Sequence, residues 1–183
     1  MITASIKKKE NIAEYLLYMW QIEDIIRANN LDIDKIQETI IDNYKDLSEE
    51  KRKELREWYD SLIDMMRRED VVAKGHLQIN KNVIIALEDL HHRLLEDPKF
   101  AAYSAQFYHT LPIIVDLRAK SGENKSGEIE TCFNALYGLL LLRLKKQEIS
   151  EETLQATAQI SKFLALLSMY YKKDFNNELF KDE

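Results

Sequence analysis

Residues 80–95 read NKNVIIALEDLHHRLL and carry the clearest helical pattern in the chain. At about 100° per residue the segment has one apolar stripe, which predicts an amphipathic helix with a buried face. Asn80 and His91 project into that face, and Glu88 lies at its margin. Because buried polar side chains need partners, these three residues are candidates for a site. The apolar stripe consists of Val83, Leu87, Leu90 and Leu94.

The composition favours an all-α fold. The chain has 183 residues, four Gly and two Pro, without the alternating runs that β-strands need. We predict a single helical domain over 1–183, a bundle of six or seven mostly antiparallel helices, kinked near Pro112 because proline lacks the amide hydrogen. KSGENKSG, at residues 120–127, predicts a flexible loop. The mostly charged tail, 174–183, is expected to fray.

Charge and cysteine content exclude several functional classes. The net charge of −6 argues against a nucleic-acid or anionic-membrane partner, since both need a concentrated basic surface. The single Cys132 forms no intrachain disulfide and fits a reducing compartment. No apolar run approaches the roughly 20 residues of a membrane span, and the N-terminus has no signal pattern. We therefore expect a cytoplasmic protein that binds neither nucleic acid nor membrane.

Two segments carry a family resemblance. Residues 9–29, KENIAEYLLYMWQIEDIIRAN, and residues 82–100, NVIIALEDLHHRLLEDPKF, are similar to a bacterial family of short uncharacterised proteins, a domain of unknown function. The resemblance runs along the whole chain and rests on its general sequence character. It implies a helical cytoplasmic protein and supplies no functional residues.

Glu88 and His91 are spaced like metal ligands. Ferritin-like di-iron bundles use Glu and His three residues apart, but they need two such motifs and two further carboxylates. A second motif is missing, since Gln106 and His109 have the spacing with an amide in place of the acid. The alternative is a core histidine whose hydrogen bonds are satisfied by a neighbouring group, and we favour it over a metal-dependent helical enzyme.

A mononuclear metal site is a second metal hypothesis. Three histidines leave a position open for water on zinc or iron, and His76, His109 and either His91 or His92 are the available set. Their helical phases disagree, because His109 projects away from the apolar face of its helix. We expect no cofactor.

Five polar residues project into otherwise apolar helix faces. If their helices pack together, these residues form one buried cluster, because each must find a hydrogen-bond partner. Such a cluster either fixes the register of the helices or lines a small ligand pocket, and we favour the first interpretation. The five residues are Glu23, Arg27, Asn80, His91 and Arg143.

The sixth predicted helix, residues 128–147, is apolar on nearly all sides. Such a helix is either central to a core or shared with a second subunit. Leu141 and Leu142 are surplus to the core of a monomer. We therefore predict a non-catalytic binding or interaction protein that forms a homo-oligomer through this helix or binds a helical partner.

Overall fold

The computed structural model describes residues 2–121 and 126–180, with side chains from residue 4 onward. This part of the chain contains eight α-helices and no β-strand, so the all-α class is confirmed with more helices than expected. A short 3-10 turn at Ile41–Asn43 follows α3, and another at Pro98–Phe100 precedes α6. The helices are α1 (Ile2–Glu10), α2 (Ile12–Ala28), α3 (Ile33–Thr39), α4 (Glu49–Arg68), α5 (Gln78–Glu96), α6 (Ala101–Lys120), α7 (Glu128–Leu144) and α8 (Glu151–Phe175).

Tertiary contacts group the chain into two compact units. The first comprises Met1–Lys9 and Glu14–Asn82. The second comprises Glu10–Ala13 and Val83–Glu183, so the boundary falls inside α5. One domain over the whole chain therefore stays a prediction.

The turn between α2 and α3 follows the expected pattern. Asn30 (φ 59°) and Leu31 (φ 56°) adopt the left-handed conformation after α2. The side chain of Asp32 accepts the backbone N–H groups of Asp34 and Lys35, which caps α3. α3 ends at Thr39, because the β-branched run at residues 39–41 disfavours the helix.

α4 begins where the sequence predicts, with the Ser48 side chain accepting the Lys51 N–H at 3.4 Å. It ends at Arg68. Gly75 has a φ of +87°, which a residue with a side chain rarely adopts. α4 and α5 are therefore two helices joined by an irregular segment.

The core of the second unit is built from aromatic rings of α6 and α8. Tyr103 and Phe107 lie one turn apart on α6, and each ring centroid is 5.7 Å from that of Phe163 on α8. Tyr103 also lies 5.7 Å from Tyr170. Because residue numbers rise along α6 while those of their partners fall along α8, these two helices are antiparallel.

α7 runs in the same direction as α6. Its first residue, Glu128, contacts His91, which in turn binds Tyr103 near the start of α6. Leu142, near the end of α7, lines a groove together with Lys120 at the end of α6. The bundle thus contains a parallel pair among its neighbours. α6 continues through Pro112 without interruption, and the predicted kink there stays a prediction.

The C-terminal segment packs more than the sequence suggested. α8 extends to Phe175, and Leu179 is 5% exposed. Arg93 makes two hydrogen bonds to the Asp174 carboxylate and lies 4.1 Å from the ring centroid of Phe180. Asp174 and Phe180 therefore contact α5 through Arg93, and fraying of the tail stays a prediction. Residues 181–183, and 122–125 of the predicted loop, lie outside the described residues.

Candidate functional site

Glu23 is the centre of the polar cluster in the first unit. It lies on α2 and is 0% exposed. Its Oε1 accepts the backbone N–H of Leu77 at 2.9 Å and the Nδ2–H of Asn80 at 2.7 Å. Its Oε2 accepts the Nδ1–H of His76 at 2.6 Å. The expectation that Glu23 is paired with donors is confirmed, and Asn80 is one of its partners.

His76 is held between Glu23 and an aromatic ring. Its imidazole stacks on the indole of Trp20, with ring centroids 4.1 Å apart and an interplanar angle of 12°. The His76 side chain is 26% exposed, whereas the Glu23 side chain is fully covered. His76 is therefore a partly exposed member of the cluster, and the buried indole of Trp20 covers one face of its ring.

The Glu23 carboxylate caps the N-terminus of α5. The first backbone N–H groups of a helix have no partner within the helix, and the helix dipole favours negative charge there. Leu77 immediately precedes α5 and donates to Glu23, while Gln78 donates its backbone N–H to Oε2 of Glu69 at 2.6 Å. Two carboxylates from elsewhere in the first unit thus satisfy donors of this helix end.

Arg27 lies one turn after Glu23 and binds the same connecting segment. Its Nη2 donates to the carbonyl oxygens of Val71, at 3.1 Å, and Gly75. Its Nη1 donates to Asp24 at 2.9 Å. Glu23 and Arg27, which interrupt the apolar stripe of α2, therefore both bind the connection between α4 and α5. Their role here is structural.

His91 occupies a different polar site, in the core of the second unit. It is 1% exposed, and its Nδ1 lies 2.6 Å from the phenolic oxygen of Tyr103. The ring is surrounded edge to face by Phe107 and Phe163, at centroid distances of 4.6 and 5.8 Å. Its Nε2 is 3.6 Å from the carboxylate of Glu128, too far for a hydrogen bond.

Burial keeps His91 neutral. It lowers the pKa of His91 from 6.5 to about 4, and the neighbouring charge of His92 lowers it further in the same direction. Burial likewise raises the pKa of Tyr103, so its hydroxyl keeps the proton. We infer that the Tyr103 O–H donates to Nδ1, because the Nε2–H then faces the carboxylate of Glu128 favourably.

Glu88 lies beside the start of α7. Its Oε1 packs against the Cα of Gly127, since a side chain built on that glycine would meet it at 2.0 Å. Burial raises the pKa of Glu88, and the nearby carboxylates of Glu130 and Glu128 raise it further while His92 lowers it. Three carboxylates and two histidines therefore lie near one another at this end of the unit.

This group is not arranged as a metal site. No set of three or more His, Cys, Asp or Glu side chains in residues 4–121 and 126–180 has the geometry to hold a metal ion. The alternative based on Glu88 and His91 is therefore not supported by the described residues, because His91 directs one nitrogen to Tyr103. The mononuclear metal site proposed from His76, His109 and either His91 or His92 is likewise not supported by the described residues.

The five predicted cluster residues separate into three places. Glu23, Arg27 and Asn80 lie within the first unit, and His91 binds partners of the second. Arg143 is exposed on the last turn of α7, so it is not part of a buried cluster. The physical reason is that only the first half of α7 enters the core, with Ile129, Thr131, Cys132 and Phe133 buried.

A groove of about 780 Å³ lies between α6, α7 and α8. Its walls are mostly apolar and include Ile113, Leu117, Leu139 and Leu142, together with Gly138. A side chain built on Gly138 would meet no atom within 4 Å. None of the predicted cluster residues lines this groove.

The family model for a domain of unknown function, DUF4924, matches residues 1–178 of this chain. The chain belongs to the DUF4924 family. The match spans both compact units and nearly the whole of this DUF4924 chain, which confirms the resemblance to a domain of unknown function. No curated protein and no solved structure matches the chain. In the described part of the DUF4924 chain, no helix has both the length and the apolarity needed to cross a bilayer.

Sequence reasoning missed His76, Tyr103 and Glu128 as partners in these sites. His76 lies in an irregular segment where helical phase predicts nothing, and Tyr103 lies in phase with the apolar residues of α6. The sequence signal that these partners exist is the hydrogen-bonding requirement of Glu23 and His91, since a buried carboxylate and a buried imidazole each require a partner.

Proposed function

We propose that this chain is a non-catalytic helical interaction protein that self-associates through α7. The observation that carries the proposal is that the C-terminal half of this helix is not buried and that its last residues are exposed. None of the residues 136–144 is buried, Leu142 is 37% exposed and Leu144 is 67% exposed. A second copy would remove this apolar surface from water.

The burial of the residues whose side chains could act in catalysis supports the non-catalytic part of the proposal. Glu23, Asn80 and His91 are 0%, 0% and 1% exposed, and their hydrogen bonds join helices or connecting segments within their own units. Cys132 is also 0% exposed, and burial raises the pKa of its thiol to about 12, so the nucleophilic thiolate is disfavoured. As part of this proposal we place the protein in the bacterial cytoplasm, because its single cysteine suits a reducing compartment.

Light scattering after size-exclusion chromatography tests the proposal. A single chain has a mass of 21.6 kDa, and we expect the wild type to have a multiple of it. Leu142→Glu places a charge on the α7 surface and is expected to lower the mass. Ile85→Glu is the matched control, since Ile85 is 58% exposed on α5 and does not line the groove.

A wild-type mass of 21.6 kDa at all concentrations contradicts self-association. An unchanged mass for Leu142→Glu contradicts the role of α7. Circular dichroism of both variants confirms that the helices are retained.

A further inference from the structure

α6 contains the longest uncharged segment of a charged chain. Asp, Glu, Lys and Arg make up 32% of all residues, yet residues 100–115, FAAYSAQFYHTLPIIV, contain none. A solvent-facing helix side normally carries charges, and their depletion is a mark of the centre of protein interfaces. The core explains only the inward side of this helix, which is formed by Tyr103, Phe107, Thr110 and Ile114.

The outward side of α6 is an exposed apolar seam. Its residues follow each other at alternating spacings of four and three, the pattern of a helix-pairing surface. Tyr108 is 61% exposed and Val115 is 54% exposed. The remaining members are also exposed, and no part of the described chain covers them. The seam consists of Ala101, Ala105, Tyr108, Pro112, Val115 and Ala119.

The spacing of the seam is symmetric about residue 110. In an antiparallel pair of α6 helices, Tyr108 of each copy therefore meets Pro112 of the other. Ala105 meets Val115, and Ala101 meets Ala119, so the six residues form three pairs along about 27 Å of helix. A surface that pairs with itself in this way fits a two-fold dimer.

The charges at the ends of α6 favour the same alignment. Its only charged residues are Asp116, Arg118 and Lys120, all in the last turns. A parallel pair would bring each of them beside its own copy, which is repulsive. The antiparallel pair places them beside the uncharged first turn of the other copy.

We propose that the seam on α6 binds a second copy of this chain as an antiparallel helix pair about a two-fold axis at residue 110. This interface is separate from the α7 surface and does not rest on it. If both surfaces act, two different two-fold interfaces generate a closed tetramer or a longer assembly.

Paired cysteines test the alignment. The variant with Ala105→Cys and Val115→Cys is expected to form a covalent dimer under oxidation, because disulfides need Cα atoms within about 7 Å. Each single variant is expected to remain uncrosslinked, because residues 105 and 115 are about 15 Å apart along the helix axis. The native Cys132 is fully buried and does not interfere. Covalent dimers of the single variants would show a parallel pair, and absence of crosslinking in the double variant would also overturn the proposal.

Light scattering separates this interface from the one on α7. Tyr108→Glu is expected to halve the mass of the assembly, while the matched control Tyr44→Glu, at a tyrosine 50% exposed, leaves it unchanged. An unchanged mass for Tyr108→Glu overturns the α6 proposal, whatever Leu142→Glu does. A dimer lost with Tyr108→Glu and kept with Leu142→Glu supports α6 alone and contradicts α7. Thermal unfolding of each variant verifies that it is folded.

Discussion

The Glu23 carboxylate accepts the Nδ1–H of His76 at 2.6 Å while the same imidazole stacks on the indole of Trp20 at 4.1 Å. This pair joins α2 to the segment that precedes α5. The bond is shielded on one side by the indole, and the carboxylate has no exposed surface. Polar residues in an apolar stripe are here the means by which one helix fixes the start of another.

Glu23→Ala should destabilise the protein by roughly 2–4 kcal/mol, because the Asn80 amide and the Leu77 N–H lose their buried acceptor. Chemical unfolding followed by circular dichroism measures the change. Glu54→Ala, at an exposed position of α4, is the control and should stay within about 0.5 kcal/mol. A loss of under about 1 kcal/mol for Glu23→Ala would contradict the capping role.

His91 should make stability depend on pH. Its pKa is about 4 in the folded chain and 6.5 ordinarily, so between these values the unfolded chain binds a proton that the folded chain does not. The stabilisation is complete above pH 6.5 and is lost as the pH falls to 4. The loss is on the order of 3 kcal/mol, at about 1.4 kcal/mol per pKa unit.

Unfolding free energies of the wild type and His91→Gln across this pH range test the effect. Glutamine can still bind Tyr103 but does not titrate, so its curve should be flatter. His109→Gln, at an exposed position, should follow the wild type. Parallel curves for wild type and His91→Gln would refute the assignment.

Gly127→Ala should be destabilising because its methyl group would displace the Glu88 carboxylate from the start of α7. We expect a loss of about 1 kcal/mol, since the end of a flexible side chain can move. In a Glu88→Ala background the same change should cost much less. A double-mutant cycle of thermal unfolding measures this coupling, and additive effects would contradict the contact.

Arg93→Ala should release the C-terminal segment, because Arg93 binds Asp174 and covers the ring of Phe180. Hydrogen exchange at residues 176–180 should become faster while the core of α8 stays protected. Arg143→Ala removes an exposed arginine and serves as the control. Equal exchange in both variants would mean that Arg93 does not anchor this segment.

The periodicity of apolar residues determined the fold class and most helices, because each helix must bury a stripe. The side chains of Asp32, Ser48 and Ser150 cap α3, α4 and α8, as Asp and Ser favour at helix starts. Local logic failed at the N-terminus, where Asn11 accepts the Ala13 N–H at 3.1 Å and so starts α2 after a separate α1.

The sequence by itself also determined that Glu23 and His91 need partners, since a desolvated polar group without one is costly. Only the tertiary structure decided which partners they have. His76 and Tyr103 are 53 and 12 residues away, and helical phase carries no information about contacts between elements. The tertiary structure likewise decided that only the first half of α7 is buried in the core and that Arg143 is exposed. Burial depends on the elements against which a helix packs.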